Sequence, residues 1–403
     1  MPAGSAAAQR SANLALVMRA LNRGEATTRS RLADLLRLDR STMTHLVGHL
    51  VDAGVVEERQ PGVGAGAGPG AGAAEQTFLP DSPRPPARVG RPPVQLRLRH
   101  DRLIAGGIEL TSEHYRTLVV DNAGSVLLRD RGPNPDCNDP ARAIAMLYHK
   151  VSSDAAAASL PLFAIGAALS GIVDPHNARL VHSEVFGVHD VDLLQHIEPH
   201  SARAALVFDN DANCGAWGEL HIGRHSDRDF VFLLGRQSGN YLGVGMGLAI
   251  DGAVYYGRRY RAGEFISVAA ARGGDSQFRL PRRELLRARG NRAVMQRLLC
   301  ELLQSLGPLI TALDPTRVVL GGVLRGQARA IDRLLHGELA HSSSAASCNA
   351  LPFTPSYWNQ DEVTAGAAGM VLEKLFNAPR TGRSGGRDVI TWQQLFSAVG
   401  AVA

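Results

Sequence analysis

TTRSRLADLLRLDRSTMTHLVGHLVDAG, residues 27–54, holds two short amphipathic segments separated by a break. In the first, Thr27 or Thr28 can cap a helix over SRLADLLRL that turns Leu32, Leu35 and Leu36 inward. Leu38-Asp39-Arg40 interrupts it. Ser41 then stands where a second helix needs an N-cap, and Met43, Leu46, Val47 and Leu50 recur at helical spacing until Gly54 stops it. Two short helices joined by a tight turn are the layout of a helix-turn-helix, whose second helix lies in the major groove of DNA. Burying Met43, Leu46 and Leu50 leaves Arg40, Ser41, Thr42, Thr44, His45 and His49 as the candidate face toward base edges and phosphates. A three-helix adaptor with a polar outer face would show the same pattern.

Working outward, Leu14, Ala15, Met18 and Leu21 form one face of a preceding helix that Asn22-Arg23-Gly24 ends. On the other side VVEERQ (55–60) reads as a strand whose partner is VQLRLR (94–99), and the two make a wing. The Gly-, Ala- and Pro-rich run between them cannot bury enough apolar surface to order itself, so disorder is expected there. Arg84, Arg88 and Arg91 within it are placed to reach the minor groove or phosphates as short basic arms do. The predicted divisions are 1–60 for the helices and first wing strand, 61–93 for the wing loop, 94–100 for the second wing strand and connector, 101–376 for a larger domain, and 377–403 for a tail.

Charge follows the same division. The 403 residues carry a net charge of +5, and residues 1–100 alone hold thirteen arginines against eight acidic residues. An anionic partner at this end is expected; arginine richness of a solvated surface is the plainer alternative. Cys137, Cys214, Cys300 and Cys348 lie far apart without a CxxC pair, which suits a reducing, cytoplasmic setting and offers no zinc knuckle. No apolar run approaches the roughly 20 residues that cross a bilayer, and Asn13, Arg19 and Asn22 break the first segment as a signal peptide. No membrane contact is expected.

From residue 104 the pattern changes. IAGGIEL, YRTLVVDN and GSVLLRD read as a three-stranded meander with a hairpin at Asn122-Ala123-Gly124. A helix near 139–154, a strand LFAIGAAL and a strand ALVFDND then alternate, which indicates an α/β sheet with helical cover.

Gly90-Arg91-Pro92-Pro93 after the wing, Ser170-Gly171-Ile172-Val173-Asp174, Asn210-Asp211-Ala212-Asn213, Gly243-Val244-Gly245-Met246-Gly247, Ile250-Asp251-Gly252, Ala262-Gly263-Glu264, Asp314-Pro315 before RVVLGG, and TAGAAGMVL at 364–372 follow in an order that resembles the ROK family (repressors, open reading frames and sugar kinases). The resemblance covers nearly the whole chain. It implies a winged helix-turn-helix followed by a two-lobed actin-like, ribonuclease-H-type α/β domain around a cleft. It also implies Asp211 as the family's catalytic base position, and Asn210, Asp211 and Glu264 as the residues that recognise sugar hydroxyls. Asn210 and Asp211 also read simply as the cap of the helix that starts at Ala212.

Departures from the family pattern oppose catalysis. The family's D-x-G-G-T hairpin is Glu109-Leu110-Thr111-Ser112-Glu113 here, where side chains replace glycines and Glu113 sets a carboxylate against phosphates. Phe265 and Ile266 stand where the family continues with Gly-His, and 268–299 lacks the family's zinc cysteines. The expectation is therefore a DNA-binding transcriptional regulator, a repressor of carbohydrate genes, with Asp211 vestigial, no metal and no cofactor. Its partners would be a double-stranded operator, a sugar-type effector and a second copy of the chain, as a dimer or dimer of dimers. An active hexose kinase with a DNA-binding appendage is the alternative.

Overall fold

Leu14, Ala15, Met18 and Leu21 fall on the buried side of α1 (Ala3–Asn22), which gives way to Gly24 at a positive φ of 67°. The computed structural model describes residues 3–60, 93–198, 204–223, 227–238, 241–376 and 390–401. The chain divides into two compact units, Met1–Arg99 and His100–Ala403.

In the first unit α2 (Arg29–Leu36) is capped by Thr28, whose hydroxyl accepts the Arg31 N–H at 3.3 Å. Leu32 and Ala33 enter the core, whereas Leu35, expected inside, is 48% exposed. On so short a helix only one narrow stripe reaches α1 and α3, and Leu35 lies at its edge. α3 (Arg40–Asp52) buries Met43, Leu46, Val47 and Leu50. Its cap is Asp39 rather than Ser41: the Asp39 carboxylate accepts the Thr42 N–H at 2.7 Å and the Thr42 hydroxyl at 2.6 Å. A carboxylate satisfies the early amides and also opposes the positive end of the helix dipole, which a serine two residues later would not. β1 (Val56–Arg59) and β2 (Gln95–Leu98) pair antiparallel with Val56 opposite Leu98, closing the wing. The expected disorder of the wing loop and the roles of Arg84, Arg88 and Arg91 lie outside the described residues.

The second unit opens with the meander β3 (Ile104–Leu110), β4 (His114–Asp121) and β5 (Val126–Pro133). α4 (Pro140–Ala157) starts at an Asp139 cap with proline in its first turn and leads to β6 (Leu162–Leu169). A small sheet of β7 (Ile172–Asp174), β8 (Arg179–Ser183) and β9 (Val188–Asp192) precedes β10 (Ala205–Asn210) and α5 (Asp211–Ile222). The main sheet runs β10-β6-β3-β4-β5. Every residue of its middle strand β3 is buried, which is why IAGGIEL reads as a continuous apolar run broken only by glycine and Glu109.

A second lobe repeats the plan with β11 (Phe230–Ser238), β12 (Tyr241–Ile250), β13 (Ala253–Val254), α6 (Arg282–Leu285), α7 (Arg292–Leu313), β14 (Arg317–Gly322), α8 (Ala328–His336), β15 (Phe353–Pro355) and α9 (Glu362–Phe376). Its sheet order is β13-β12-β11-β14-β15, three antiparallel strands and then two parallel ones, as in the first lobe. The helix after each lobe's fifth strand crosses to the other lobe: α5 packs on β11 and β12, α9 on β3 and β6, and the two pack on each other between the sheets. That crossing requires backbone contact, and a Cβ at Gly366 would stand 1.8 Å from the Cys214 carbonyl oxygen. After the undescribed segment, α10 (Trp392–Gly400) carries a complete capping box at Thr391 and Gln394 and packs on β6, which accounts for the apolar ITWQQLF of the tail. Among the described residues no helix is long and apolar enough to cross a membrane.

Candidate functional site

On α3 the side opposite Met43, Leu46, Val47 and Leu50 presents Arg40, Ser41, Thr44 and His45, all exposed. Thr42 is half-buried and tied to Asp39 by both its amide and its hydroxyl, so its first task is to hold the helix start. The Thr44 hydroxyl folds back on the Arg40 carbonyl at 2.8 Å, a local bond that water or a base edge can replace. His49 is half-buried; burial, and then the nearby Arg10 charge, lowers its pKa. Arg91 is outside the described residues. Around α3 the first unit adds exposed Arg31, Arg37, Arg59 and Arg97, while Arg29 pairs with Glu58 across to the wing. The surface is basic with polar tips, the composition that phosphate contacts demand.

In the second unit, β6 and β10 end side by side, and the residues that follow them meet. Asn210 ends β10 in extended backbone; its Oδ1 accepts the Ala212 N–H at 2.8 Å and caps α5, while its Nδ2 donates to the Gly171 carbonyl at 2.6 Å. Ser170, which replaces the proline of the family pattern, donates its hydroxyl to Asp211 Oδ2 at 2.6 Å. Arg236, projecting from β11 of the other lobe, places Nε 2.7 Å from the same oxygen without hydrogen-bond alignment. Its Nη1 donates to Glu109 Oε1 at 2.7 Å. Glu109, on β3, also receives Arg116 at 3.3 Å and the Thr364 hydroxyl of α9 at 3.0 Å. Burial alone would raise the Glu109 pKa, but the Arg236 and Arg116 charges outweigh it and hold the carboxyl below its ordinary range.

Beneath these lies a second buried group. Asp209 Oδ2 accepts the Tyr256 hydroxyl at 2.6 Å, and Oδ1 accepts the Asn213 amide at 2.9 Å. Desolvation raises the pKa of both Asp209 and Tyr256. Glu264 reaches the same region from the loop after Gly263, whose φ of 91° and close approach to the Met246 carbonyl admit only glycine. Its side chain is open to solvent, yet its pKa is raised, first by desolvation against the surrounding chain and then by the Asp211 carboxylate. The three sugar-side positions predicted from sequence, Asn210, Asp211 and Glu264, are thus neighbours.

The β3–β4 turn, where the family pattern has glycines, is closed on itself. Asn134 donates Nδ2 to the Thr111 carbonyl at 2.9 Å and its N–H to the Glu113 carbonyl at 2.7 Å. Glu113 is exposed beside His114. None of residues 109–114 adopts a positive φ, so the turn lacks the left-handed backbone that a glycine cradle would supply.

Sequence reasoning missed Arg236, Ser170, Thr364 and the Asp209–Tyr256 pair. The only signal was a lone charge at the end of the apolar strand FVFLLGRQS. Its meaning depends on a partner 127 residues away.

Residues 105–274 match the ROK family. The Xylose repressor of Bacillus subtilis (strain 168) is 22% identical over 256 residues, 62% of this chain and 59% of that protein. The Xylose repressor of Caldicellulosiruptor bescii is likewise 22% identical over 257 residues, 57% of its own length. The chain therefore spans less than two thirds of these relatives. Among solved structures, a ROK family transcriptional regulator, a homologue of the E. coli Mlc protein, superposes with a TM-score of 0.70 over 97% of this chain and 99% of that one at 16% identity. ROK hexokinase from Thermus thermophilus gives 0.50 over 66% of this chain and 97% of its own at 21% identity. At such identities the likeness establishes the fold.

Proposed function

The chain carries a ROK-family domain, and from that premise we propose that it is a DNA-binding transcriptional repressor of carbohydrate genes whose kinase-like unit senses a sugar instead of phosphorylating it. The observation that carries the reading is the state of Asp211. A general base must be free to take a hydroxyl proton, and this carboxylate already accepts from Ser170 and faces the buried Arg236 guanidinium. The closed β3–β4 turn supports the same reading on the nucleotide side. Asn210 and Glu264 keep polar atoms at the cleft and suit sugar hydroxyls. Arg40, Ser41, Thr44 and His45 face the operator, with Thr42 and His49 shaping the helix that presents them. Two copies of the chain related by a two-fold axis would place two such helices in successive major grooves, and an effector that changes the lobe angle would change their spacing.

Genomic DNA captured by the purified protein tests this reading, followed by salt-dependent binding to the best site with and without sugars. Discrete dyad sites are expected, bound about tenfold more weakly by Arg40→Ala or His45→Ala; enrichment no better than random DNA would sink the proposal. The retention of Asn210, Asp211 and Glu264 favours one second reading, an active hexose kinase. A coupled ATP assay on glucose, N-acetylglucosamine, mannose and xylose, with Asp211→Asn as control, should show no turnover that depends on Asp211.

A further inference from the structure

The helix that carries Asp211 at its cleft end carries a buried histidine at the other. α5 has twelve residues, about 18 Å of rise, and the His221 side chain in its last turn is only 1% exposed. Nδ1 lies 3.1 Å from Glu373 Oε2 on α9, and Nε2 lies 3.1 Å from Asn122 Oδ1 in the β4–β5 turn. The Glu373 carboxylate can only accept, so Nδ1 is placed to donate to it. At its other end the Asn122 amide places Nδ2 3.0 Å from His100 Nδ1. Its backbone N–H also points to the His100 carbonyl at 3.5 Å. His100 is the first residue of the second unit, directly after Arg99, the last residue of the first.

The sugar-binding chemistry makes no use of this ring, and a buried polar ring is costly unless its nitrogens are hydrogen-bonded. Packing makes α5 and the turn move together. A Cβ on Gly124 would stand 2.4 Å from Ile222 at the end of α5, and one on Gly218 would stand 2.9 Å from Gly366 of α9. Close-packed elements of this kind shift as bodies by about 1–2 Å instead of deforming smoothly.

We propose that His221 is a coupling residue that passes displacement of α5 at the cleft, through Asn122, to His100 at the junction of the two units. The proposal rests on the cleft being the effector site, and two measurements keep the two ideas apart. The first needs neither sugar nor DNA: ring-nitrogen NMR of histidine-labelled protein, reading His221 and His100. Asp211→Asn, at the far end of α5, should shift the His100 signals. That shift should vanish in His221→Gln and in Asn122→Asp, which keeps the acceptor for His221 but loses the donor to His100. His100 signals unmoved by Asp211→Asn would overturn the relay whatever the chain binds. The second uses a sugar that raises the melting temperature of the whole chain. His221→Gln, or Asn122→Asp should the former not fold, keeps sugar and operator affinities within about threefold, while the sugar's effect on operator affinity, ordinarily about 5- to 150-fold for coupled sites, falls below about twofold. A variant that retains the full effect would equally reject the relay.

Discussion

Glu362 begins α9 and is 5% exposed. One oxygen accepts the Gly322 N–H, and the Ser356 hydroxyl also approaches the carboxyl group. Burial pushes its pKa from 4.5 up to about 7. Because the folded value lies above the unfolded one, the stability it contributes is fully present below pH 4.5 and is lost as pH rises toward 7. Glu362→Gln, which keeps an acceptor for Gly322 and cannot ionise, should match the wild type at pH 4 and exceed it at pH 8 by about 3 kcal/mol. Paired thermal melts across that range check the prediction, and a difference that does not grow with pH would contradict it. Ser41 and Asp39 separate in a similar way. With Asp39 as the cap of α3, Asp39→Ala should lower the melting temperature of the first unit, whereas Ser41→Ala should leave it in place and weaken only DNA binding.

At the scale of elements, the crossed helices α5 and α9 carry the second unit. They meet through glycines because each must also lie against the sheet of the opposite lobe, and any side chain at the crossing would separate helix from helix. Gly366→Ala puts a methyl 1.8 Å from the Cys214 carbonyl oxygen, and rigid backbone on both sides leaves nothing to give way. The expected cost is about 3 kcal/mol or more, read by chemical denaturation. Gly48 on α3, where an added Cβ meets nothing within 4 Å, is the contrasting site. Gly48→Ala should raise the stability of the first unit by up to about 1 kcal/mol.

For the whole molecule the lobes are joined by charge as well as by helices. Arg236 of the second lobe lies between Glu109 and Asp211 of the first, with Arg116 and Thr364 completing the cluster. Removing the guanidinium alone strands two buried carboxylates, so Arg236→Met should destabilise the protein by about 3–5 kcal/mol. Adding Glu109→Gln and Asp211→Asn to the same chain removes the stranded charges and should restore most of that loss. Restoration absent in the triple variant would show that Arg236 acts through packing and not through its charge. The same cluster fastens the two lobes through a single guanidinium.

Sequence alone determined what is local. The periodicity of Met43, Leu46, Val47 and Leu50, a threonine cap at 27 or 28, the glycine at the end of α1 and the alternating wing strands each depend on residues within a few positions, where helix and strand periods act directly. The ordered motifs from Ser170 to TAGAAGMVL likewise gave the two-lobed fold and brought Asn210, Asp211 and Glu264 into consideration. Even there the cap of α3 was misassigned by two residues, because Asp39 and Ser41 are both good caps and only the path of the chain chooses between them. Tertiary structure alone decided the rest: the pairing of Glu109 with Arg236 across 127 residues and with Thr364 across 255, and of Asn122 with His221 across 99. Such contacts are set by how two similar sheets exchange their last helices. No local pattern encodes which distant side chain will share a buried site, because the cost of burying each charge is settled only when its partner arrives.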